Sequence, residues 1–263
     1  MQIAGAHVLL TGATGGLGQA IARELAGRGA RLTLTARREQ VLNALASELD
    51  ARAVTVDLSD RHDVERLVGD AGAVEVLVAN AALPASGRLD TFTTAQLDRA
   101  LEVNLRAPIA LARALVPGMV SSGQGQLVFM SSLSGKVTSP GTSLYNATKF
   151  GLRGFALALR AELRESGVGV SGVFPGFIRE AGMFAESGAK LPPGVGTKSP
   201  QDVARAVVEA IEHDRAEVDV APLALRVSAA FAGLAPEAAA RLGRRLGADD
   251  VAAGLAAGQT DKR

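Results

Sequence analysis

The only tyrosine of the chain, Tyr145, stands four residues before Lys149 in the stretch YNATK. On a helix, residues four apart share a face and lie about one turn from each other. A nearby ammonium group favours the phenolate form of a tyrosine, whose pKa in water is about 10. The pair therefore predicts a general acid and base whose pKa is lowered toward neutral pH, where proton transfer is most effective.

Ser132 lies in the stretch SSLSG at 131–135, thirteen residues before Tyr145. This is enough chain for a loop to bring the serine hydroxyl back toward the phenol. A hydroxyl placed there can donate a hydrogen bond to a substrate oxygen and fix its position. The expected chemistry is therefore proton transfer to or from an oxygen atom that both side chains contact.

A glycine-rich segment, TGATGGLG at 11–18, lies between the first predicted strand and the first predicted helix. Open α/β sheets bind dinucleotides at this place, with the pyrophosphate at the helix N-terminus. Gly12 allows a sharp turn, Gly16 lets backbone N–H groups approach the pyrophosphate, and Gly18 allows close packing of the helix. Thr14 and Leu17 are the other predicted cofactor contacts here. A plain structural turn is the alternative interpretation.

The end of the second predicted strand indicates which dinucleotide is bound. A bare ribose 2′-hydroxyl is usually held by a carboxylate at this point, whereas a 2′-phosphate calls for arginine. The sequence reads TLTARRE, with Ala36 in place of the carboxylate, followed by Arg37 and Arg38. Because a guanidinium can hold a phosphate through two parallel hydrogen bonds, NADP(H) is favoured over NAD(H). The alternative is an exposed arginine pair that opens a helix, partly neutralised by Glu39.

Strands and amphipathic helices alternate along most of the chain and must position these residues. Runs rich in Val and Leu predict strands at 7–11, 31–36, 52–57, 74–80, 126–131, 168–174 and 217–221. Apolar residues at helical spacing follow each of the first six runs. This alternation predicts an α/β fold: a single Rossmann-type, doubly wound parallel sheet of about seven strands with helices on both faces.

We expect residues 1–221 to form one dinucleotide-binding and catalytic domain, since no linker of the kind that separates domains interrupts them. Residues 222–263 are rich in alanine and partly amphipathic. They predict a helical C-terminal extension that packs on the domain or on a partner subunit. A helix lying on a membrane surface is the alternative.

Composition excludes several classes of function. The 263 residues include no cysteine, which rules out disulfides, thiolate catalysis and zinc–thiolate sites. The 28 basic and 27 acidic residues leave a net charge of +1, so no broad field attracts nucleic acid. The three histidines are scattered, and no metal site is predicted. We find no signal sequence and no run long enough for a membrane span, and we expect a cytoplasmic protein.

Six motifs together resemble those of the short-chain dehydrogenase/reductase family. They are TGATGGLG at 11–18, NAA at 80–82, EVNL at 102–105, SSLSG at 131–135, YNATK at 145–149 and PGFI at 175–178. Each motif alone is only weakly specific for the family, but all six occur in order at the family's spacing, over about residues 5–221. The resemblance implies a catalytic tetrad of Asn104, Ser132, Tyr145 and Lys149. In it, the main chain of Asn104 holds a water that links Lys149 to solvent.

The resemblance also implies the remaining cofactor contacts. Asp57 would bind the adenine amino group, while Asn80 and Ala81 would line the cofactor cleft. The other implied contacts are Leu58, Tyr145, Lys149, Pro175, Gly176 and Ile178.

Two positions depart from the family pattern. Ala82 stands where the family commonly has glycine, so a methyl group is added where backbone comes close to the cofactor. Arg179 and Glu180 follow PGFI, where the family often has a threonine that helps to hold the nicotinamide carboxamide. Either main-chain groups replace that threonine or this loop closes differently.

The activity implied by the resemblance is hydride transfer from NADPH to a carbonyl carbon while Tyr145 protonates the oxygen. The reverse reaction oxidises a secondary alcohol. One alternative is a non-catalytic NADP-binding regulatory protein. Another is a nucleotide-sugar epimerase or dehydratase, but those usually have a larger C-terminal domain than residues 222–263 can supply.

The substrate is expected to be an uncharged, moderately apolar small-molecule carbonyl or alcohol compound. Apolar residues in a loop at about 177–200 suggest this class, and such a loop is expected to fold over the substrate as a lid. In relatives, the long helices near 94–116 and 145–166 form subunit contacts. The resemblance therefore implies a homodimer or homotetramer.

Overall fold

A seven-stranded parallel sheet forms the centre of the molecule. The computed structural model describes residues 1–245 and 247–259. The strands are β1 (His7–Thr11), β2 (Arg31–Ala36), β3 (Arg52–Thr55), β4 (Val76–Ala79), β5 (Gly125–Met130), β6 (Val168–Pro175) and β7 (Glu217–Val220). Their order is β3-β2-β1-β4-β5-β6-β7, and every neighbouring pair is parallel. The predicted parallel sheet of about seven strands is confirmed.

Helices cover both faces of the sheet, as the sequence predicts. They are α1 (Gly16–Gly27), α2 (Glu39–Glu48), α3 (Arg61–Ala71), α4 (Thr94–Leu101), α5 (Ala107–Ser122), α6 (Ser143–Glu162), α7 (Gly182–Ser187) and α8 (Pro200–His213). Leucine, valine and isoleucine side chains of α1, α2 and α8 form one buried layer against the sheet. Apolar side chains of α3, α5 and α6 form the opposite layer. Each helix buries one apolar stripe, which accounts for the spacing seen in the sequence.

Strands β3 and β4 are among those that end earlier than the sequence predicts, and both ends border the predicted cofactor cleft. Asp57 and Asn80 lie just beyond β3 and β4, in loops at the carboxyl edge of the sheet. The Asp57 N–H donates to the Asp63 carboxylate at 2.9 Å, and the Asn80 N–H donates to the Thr11 hydroxyl at 3.0 Å. Side-chain acceptors thus replace the strand ladder at both positions. In parallel α/β sheets this edge is where ligands bind.

The helical stretch expected at 94–116 is interrupted. Glu102–Arg106 form a π-helical turn between α4 and α5, in which the Ala107 N–H bonds the Glu102 carbonyl five residues earlier. Helix α5 then continues to Ser122, beyond the predicted end. Such turns are rare and frequently occur at functional sites.

The C-terminal extension is helical, as predicted. It consists of α9 (Leu223–Leu234), α10 (Pro236–Arg245) and α11 (Ala248–Ala257), while residues 246 and 260–263 lie outside the described part. Helix α11 packs on α7: a Cβ added at Gly258 would collide with the backbone of Ser187, and one at Gly254 would lie 3.2 Å from the Ala189 Cβ. Small residues therefore allow the extension to lie against the loop that follows β6.

No helix in the described ranges is long and apolar enough to cross a bilayer.

The edge strand β7 is held by a half-buried cluster of charges that the sequence pattern does not reveal. Lys136 Nζ lies 2.9 Å from Glu217 and 2.6 Å from Asp219, and Arg153 lies 2.6 Å from Glu217. Burial alone would raise the pKa of Glu217, but its hydrogen bonds with Arg153 and Lys136 and their charges hold it below the usual range. The cluster joins β7 to α6 and to the turn that follows Ser132.

Candidate active site

Tyr145, Lys149 and Ser132 lie together in one cleft. Tyr145 and Lys149 project from the first two turns of α6, with Lys149 Nζ 5.7 Å from the centre of the Tyr145 ring. Ser132 follows β5, and its hydroxyl interacts with the phenol. The Lys149 side chain is buried, and its amine donates to the main-chain carbonyl of Met130 at 2.8 Å. The structure thus brings the three predicted catalytic side chains into one group.

The turn that carries Ser132 depends on two residues whose roles sequence reasoning missed. A Cβ added at Gly135 would lie 2.8 Å from the carbonyl oxygen of Lys149, so only glycine lets this turn pack on α6. Asn146 is buried within α6, and its amide donates to the carbonyls of Ser134 and Val137 at 2.6 and 2.9 Å. An asparagine inside a predicted helix, directly after the tyrosine, was the available signal, because asparagine is unfavourable in a helix interior unless its side chain finds specific partners.

Asn104 lies in the π-helical turn, behind this group. Its side chain is buried and accepts from the Leu83 N–H at 2.7 Å while donating to the Leu83 carbonyl at 2.9 Å. The residue four positions later is Pro108, which has no N–H to donate to the Asn104 carbonyl. The Asn104 side chain therefore anchors the loop after β4. The Asn104 main-chain carbonyl lacks the donor that a regular α-helix would provide four residues later.

The pKa of Tyr145 moves in the opposite direction from the sequence prediction. Burial raises the pKa of Tyr145 to about 12, and the interaction with Ser132 offsets only part of this. Burial also lowers the pKa of Lys149 to about 8. Both shifts favour the neutral forms, because the surroundings disfavour any isolated charge. The predicted lowering of the tyrosine pKa by its neighbour was wrong for this state of the protein, in which the phenol is fully protonated at neutral pH.

The glycine-rich segment forms a cradle at the start of α1. Gly12 has a φ of 67°, and a Cβ there would lie 2.7 Å from the Cα of Ala81. A Cβ at Gly18 would collide with the Gly12 carbonyl, so the helix packs directly on the loop. A Cβ at Gly16 would collide with Ala181, which places the loop after β6 over the cradle.

The N-terminus of α1 suits an anion. Its N-cap is Gly15, which offers no side-chain acceptor, and the first turn contains no acidic residue. The unpaired N–H groups and the positive end of the helix dipole are therefore not neutralised by the helix itself. These features fit the pyrophosphate of a dinucleotide.

The two predicted arginines have different surroundings. Arg38 donates through its guanidinium to the carbonyl and hydroxyl of Thr14, which links the end of β2 to the glycine-rich segment. Arg37 is exposed at the mouth of the cleft, where its charge acts on Asp57. Burial tends to raise the pKa of Asp57, but hydrogen bonds from Ser59 and the nearby guanidinium charges hold it below its usual range. Arg37 is therefore the better placed of the pair to meet a phosphate arriving from solvent.

Asn80 and Ala81 are tied to the end of β1. The Thr11 hydroxyl accepts from the N–H groups of both residues, at 3.0 and 3.1 Å. The Asn80 side chain also donates to the carbonyls of Thr11 and Gly12. Thr11 was missed as a functional residue, although it opens the glycine-rich motif. It joins the two strands between which the order of the sheet reverses.

The loop after β6 has a closed base. Ile178 and Lys198 form a parallel bridge, with the Arg179 N–H donating to the Lys198 carbonyl at 2.9 Å. The side chains of Arg179 and Glu180 pair with each other on the surface, 2.8 Å apart. The departure from the family pattern therefore places an exposed ion pair outside the cavity at the point where the family often has a threonine. Before the bridge, the Pro175 carbonyl accepts from the Ser132 hydroxyl at 3.3 Å.

A cavity of about 1480 Å³ connects these parts. It is lined by every predicted catalytic and cofactor-binding residue except Asn104, which lies behind it. Within the described residues, no group of three or more histidine, aspartate or glutamate side chains could hold a metal ion. The cavity therefore combines a dinucleotide cradle with a hydroxyl, a phenol and an amine, which is the arrangement needed for hydride transfer coupled to proton transfer.

A family model described as short chain dehydrogenase matches residues 6–192. The chain belongs to the short-chain dehydrogenase family. It is thus an oxidoreductase of a family whose fold binds nicotinamide cofactors.

Similar proteins are known both from curated sequences and from solved structures. The ketoacyl reductase HetN of Nostoc sp. is 35% identical over 227 residues, which cover 83% of this chain and 79% of that protein. A short-chain dehydrogenase from Sphingobium yanoikuyae, solved with NADPH, is 28% identical with a TM-score of 0.76, covering 91% of this chain and 95% of the other. A metagenomic short-chain oxidoreductase, solved with NADP, is 32% identical with a TM-score of 0.71, covering 84% and 99%.

Burial of Lys149 makes stability depend on pH. The pKa of Lys149 is about 8 in the folded protein and 10.5 when exposed, so between these values the unfolded chain binds the extra proton. Stability therefore rises with pH across this window, by on the order of 3 kcal/mol. We expect the difference in free energy of unfolding between the wild type and Lys149→Met, measured by urea titration, to increase by this amount as the pH rises through this window. A pH-independent difference would show that the amine is not desolvated.

Proposed function

We propose that the protein reduces a carbonyl group with NADPH, and that the reverse reaction oxidises a secondary alcohol. The observation that carries the proposal is the grouping of Ser132, Tyr145 and Lys149 in a cavity continuous with the glycine cradle. When bound, NADPH supplies the hydride that reaches the carbonyl carbon. The protein has to hold the substrate oxygen, deliver a proton to it and restore that proton.

Tyr145 is the proposed proton donor. A phenol with a pKa of about 12 holds its proton at neutral pH, which is the form that reduction requires. As the substrate oxygen gains negative charge, transfer of the phenolic proton becomes favourable. Ser132, whose hydroxyl interacts with the phenol, donates a hydrogen bond to the same oxygen and fixes its position.

Lys149 and Asn104 complete the proposed proton path. The Lys149 amine, with a pKa of about 8, carries a proton near neutral pH and can stabilise the phenolate left after transfer. It also holds the nicotinamide ribose in this proposal. Because Pro108 cannot donate to the Asn104 carbonyl, that oxygen can accept from a water that restores the proton from solvent.

Removing the phenolic hydroxyl tests this assignment. We expect Tyr145→Phe to lower kcat for carbonyl reduction by about a hundred- to ten-thousandfold, because no proton donor remains. NADPH binding should change little, since the ring and the glycine cradle are retained. The two quantities are measured by NADPH oxidation with mixed ketones and aldehydes, and by titration of NADPH fluorescence. Wild-type turnover in the variant would exclude Tyr145 as donor, and a wild type that binds NADPH without turnover would favour the regulatory alternative.

The preference for NADP(H) over NAD(H) is also proposed. It is supported by Ala36 in place of a carboxylate, by Arg37 at the mouth of the cleft and by Arg38 beside the cradle. Two structurally similar enzymes were solved in complex with NADPH and with NADP. A 2′-phosphate placed beside Arg37 would gain a charge-assisted hydrogen bond that NAD(H) cannot make.

The two cofactors separate the role of Arg37 from a general effect on the cleft. We expect Arg37→Ala to raise the Kd for NADPH by about tenfold or more, the equivalent of one charge-assisted hydrogen bond. The Kd for NADH should stay within a factor of about two. Arg31→Ala, at the other end of the same strand, is the matched control. Equal weakening of both cofactors by Arg37→Ala would contradict a phosphate-binding role.

We further propose that the protein forms a homodimer or homotetramer through α6. Between residues 147 and 161 one face of this helix is exposed and uncharged, and only Glu162 at its end adds a charge. Its members are Ala147, Phe150, Gly151, Gly154, Leu157, Ala158 and Ala161. Small residues on such a face let a second helix approach closely. An exposed, uncharged surface of this kind is typical of association.

A charge placed in the middle of this face should separate the subunits. A Cβ at Gly154 meets no neighbouring atom, so Gly154→Arg is compatible with the fold of one chain. We expect the wild type to sediment as a dimer or tetramer and the variant as a monomer. Val41→Arg, on the outer face of α2, should sediment like the wild type. A monomeric wild type would exclude the proposed interface.

A further inference from the structure

The cavity extends well beyond the catalytic group, into the C-terminal extension. Two lining residues from each helix illustrate this: Leu225 and Phe231 of α9, Ala239 and Leu242 of α10, and Val251 and Leu255 of α11. Opposite them, the loop after β6 contributes Met183 and Phe184 of α7. We name this part of the cavity, between α7 and α9–α11, the outer channel. It is built by a segment that follows the last strand of the sheet.

The size of the cavity indicates two ligands. Sites for a single small molecule usually measure about 300–1,000 Å³. The cavity of about 1480 Å³ exceeds this range. The predicted dinucleotide site, at the glycine cradle and the ends of β2 and β3, lines only one side of it. The outer channel therefore leaves room for a second ligand of substantial length beside a dinucleotide.

The chemistry of the outer channel is predominantly apolar. Among the described residues after β7 that line it, only Ser228, Arg244 and Gln259 have polar side chains, and α7 adds the exposed Glu186. Arg244 is exposed, so its charge lies on the solvent side. An apolar channel of this kind favours methylene groups, because each one that leaves water contributes to binding.

The outer channel is held by specific packing. Helix α11 lies against α7 at Gly258, where only glycine fits beside the Ser187 backbone, and at Gly254, which lies close to Ala189. The buried Gln259 side chain adds a hydrogen bond to the Met183 carbonyl at 3.4 Å. The extension is thus attached to the same loop that borders the catalytic group, and the wall of the channel is continuous with the site.

We infer that the substrate carries an extended, uncharged apolar chain, which lies in the outer channel while its carbonyl group meets Tyr145 and Ser132. This inference rests on the proposed reductase function and names its substrate class. A short ketone would contact the catalytic group but leave the channel walls unused. A long-chain ketone or aldehyde would contact α7 and all three C-terminal helices.

A homologous series of ketones, from butanone to 2-dodecanone, tests the inference with NADPH as reductant. We expect kcat/KM to rise about two- to fourfold for each added methylene until the channel is filled, as expected for burial of each group. Ala239→Phe should remove most of this gain. The value of kcat/KM should fall at least about tenfold for 2-dodecanone, while for butanone it should stay within about twofold of the wild-type value. The reason is that Ala239 lines the channel, so a phenyl ring there blocks it.

Ala238→Phe is the matched control, since the adjacent Ala238 is exposed and does not line the cavity. It should keep the wild-type dependence on chain length. A value of kcat/KM that does not depend on chain length, or an equal loss of kcat/KM in the two variants, would overturn the inference that the substrate chain lies in the outer channel. The proposed reductase function would remain intact.

Binding calorimetry separates failure of the inference from failure of the proposed function. If no ketone is reduced, the reductase proposal fails for this class, but the channel can still be tested with 1-decanol and 1-butanol. Tighter binding of decanol by the wild type and Ala238→Phe, but not by Ala239→Phe, would support an apolar-chain site. Equal, weak binding of both alcohols by all three proteins would exclude it.

Discussion

Two reciprocal hydrogen bonds between the end of β5 and α6 set the geometry of the catalytic group. The Lys149 amine donates to the Met130 carbonyl at 2.8 Å, and the Ser131 hydroxyl donates to the Lys149 carbonyl at 3.1 Å. Ser132 is the next residue, and Tyr145 lies one helical turn before Lys149. The helix cannot slide along the sheet without breaking both bonds, so the spacing between hydroxyl, phenol and amine follows from them. This constraint requires a buried lysine, which lowers the pKa of that amine to about 8.

Much of the fold and of the grouping of the candidate site could be predicted from the sequence, for a physical reason. All strands of a parallel sheet end at the same edge, so motifs that follow successive strands must converge. Gly12 after β1, Asn80 after β4 and Ser132 after β5 are examples, and all three line one cavity. The spacing of four residues on a predicted helix was sufficient to place Tyr145 beside Lys149. Local patterns thus determined which side chains meet, although their roles remain proposals.

What could not be predicted depends on packing between distant segments. Burial determines the direction in which the pKa of Tyr145 shifts, and no short stretch of sequence reveals how much water a phenol retains. The charge cluster around Lys136 joins it to Glu217 and Asp219, about eighty residues later in the chain. The position of α9–α11 over the cavity follows from small-residue contacts such as Gly258 on Ser187. An alanine-rich helical pattern indicates a helix but not the surface that it covers.

The bridge between Ile178 and Lys198 closes the base of the loop after β6. Residues before it belong to the sheet and to the candidate active site, whereas the nineteen residues it encloses, 179–197, form an excursion that meets the glycine cradle at Ala181 and the terminal helices at Ser187. Insertions or deletions within that excursion would leave the anchored ends in register. Substrate selectivity can therefore change through this segment while the arrangement of Ser132, Tyr145 and Lys149 is retained.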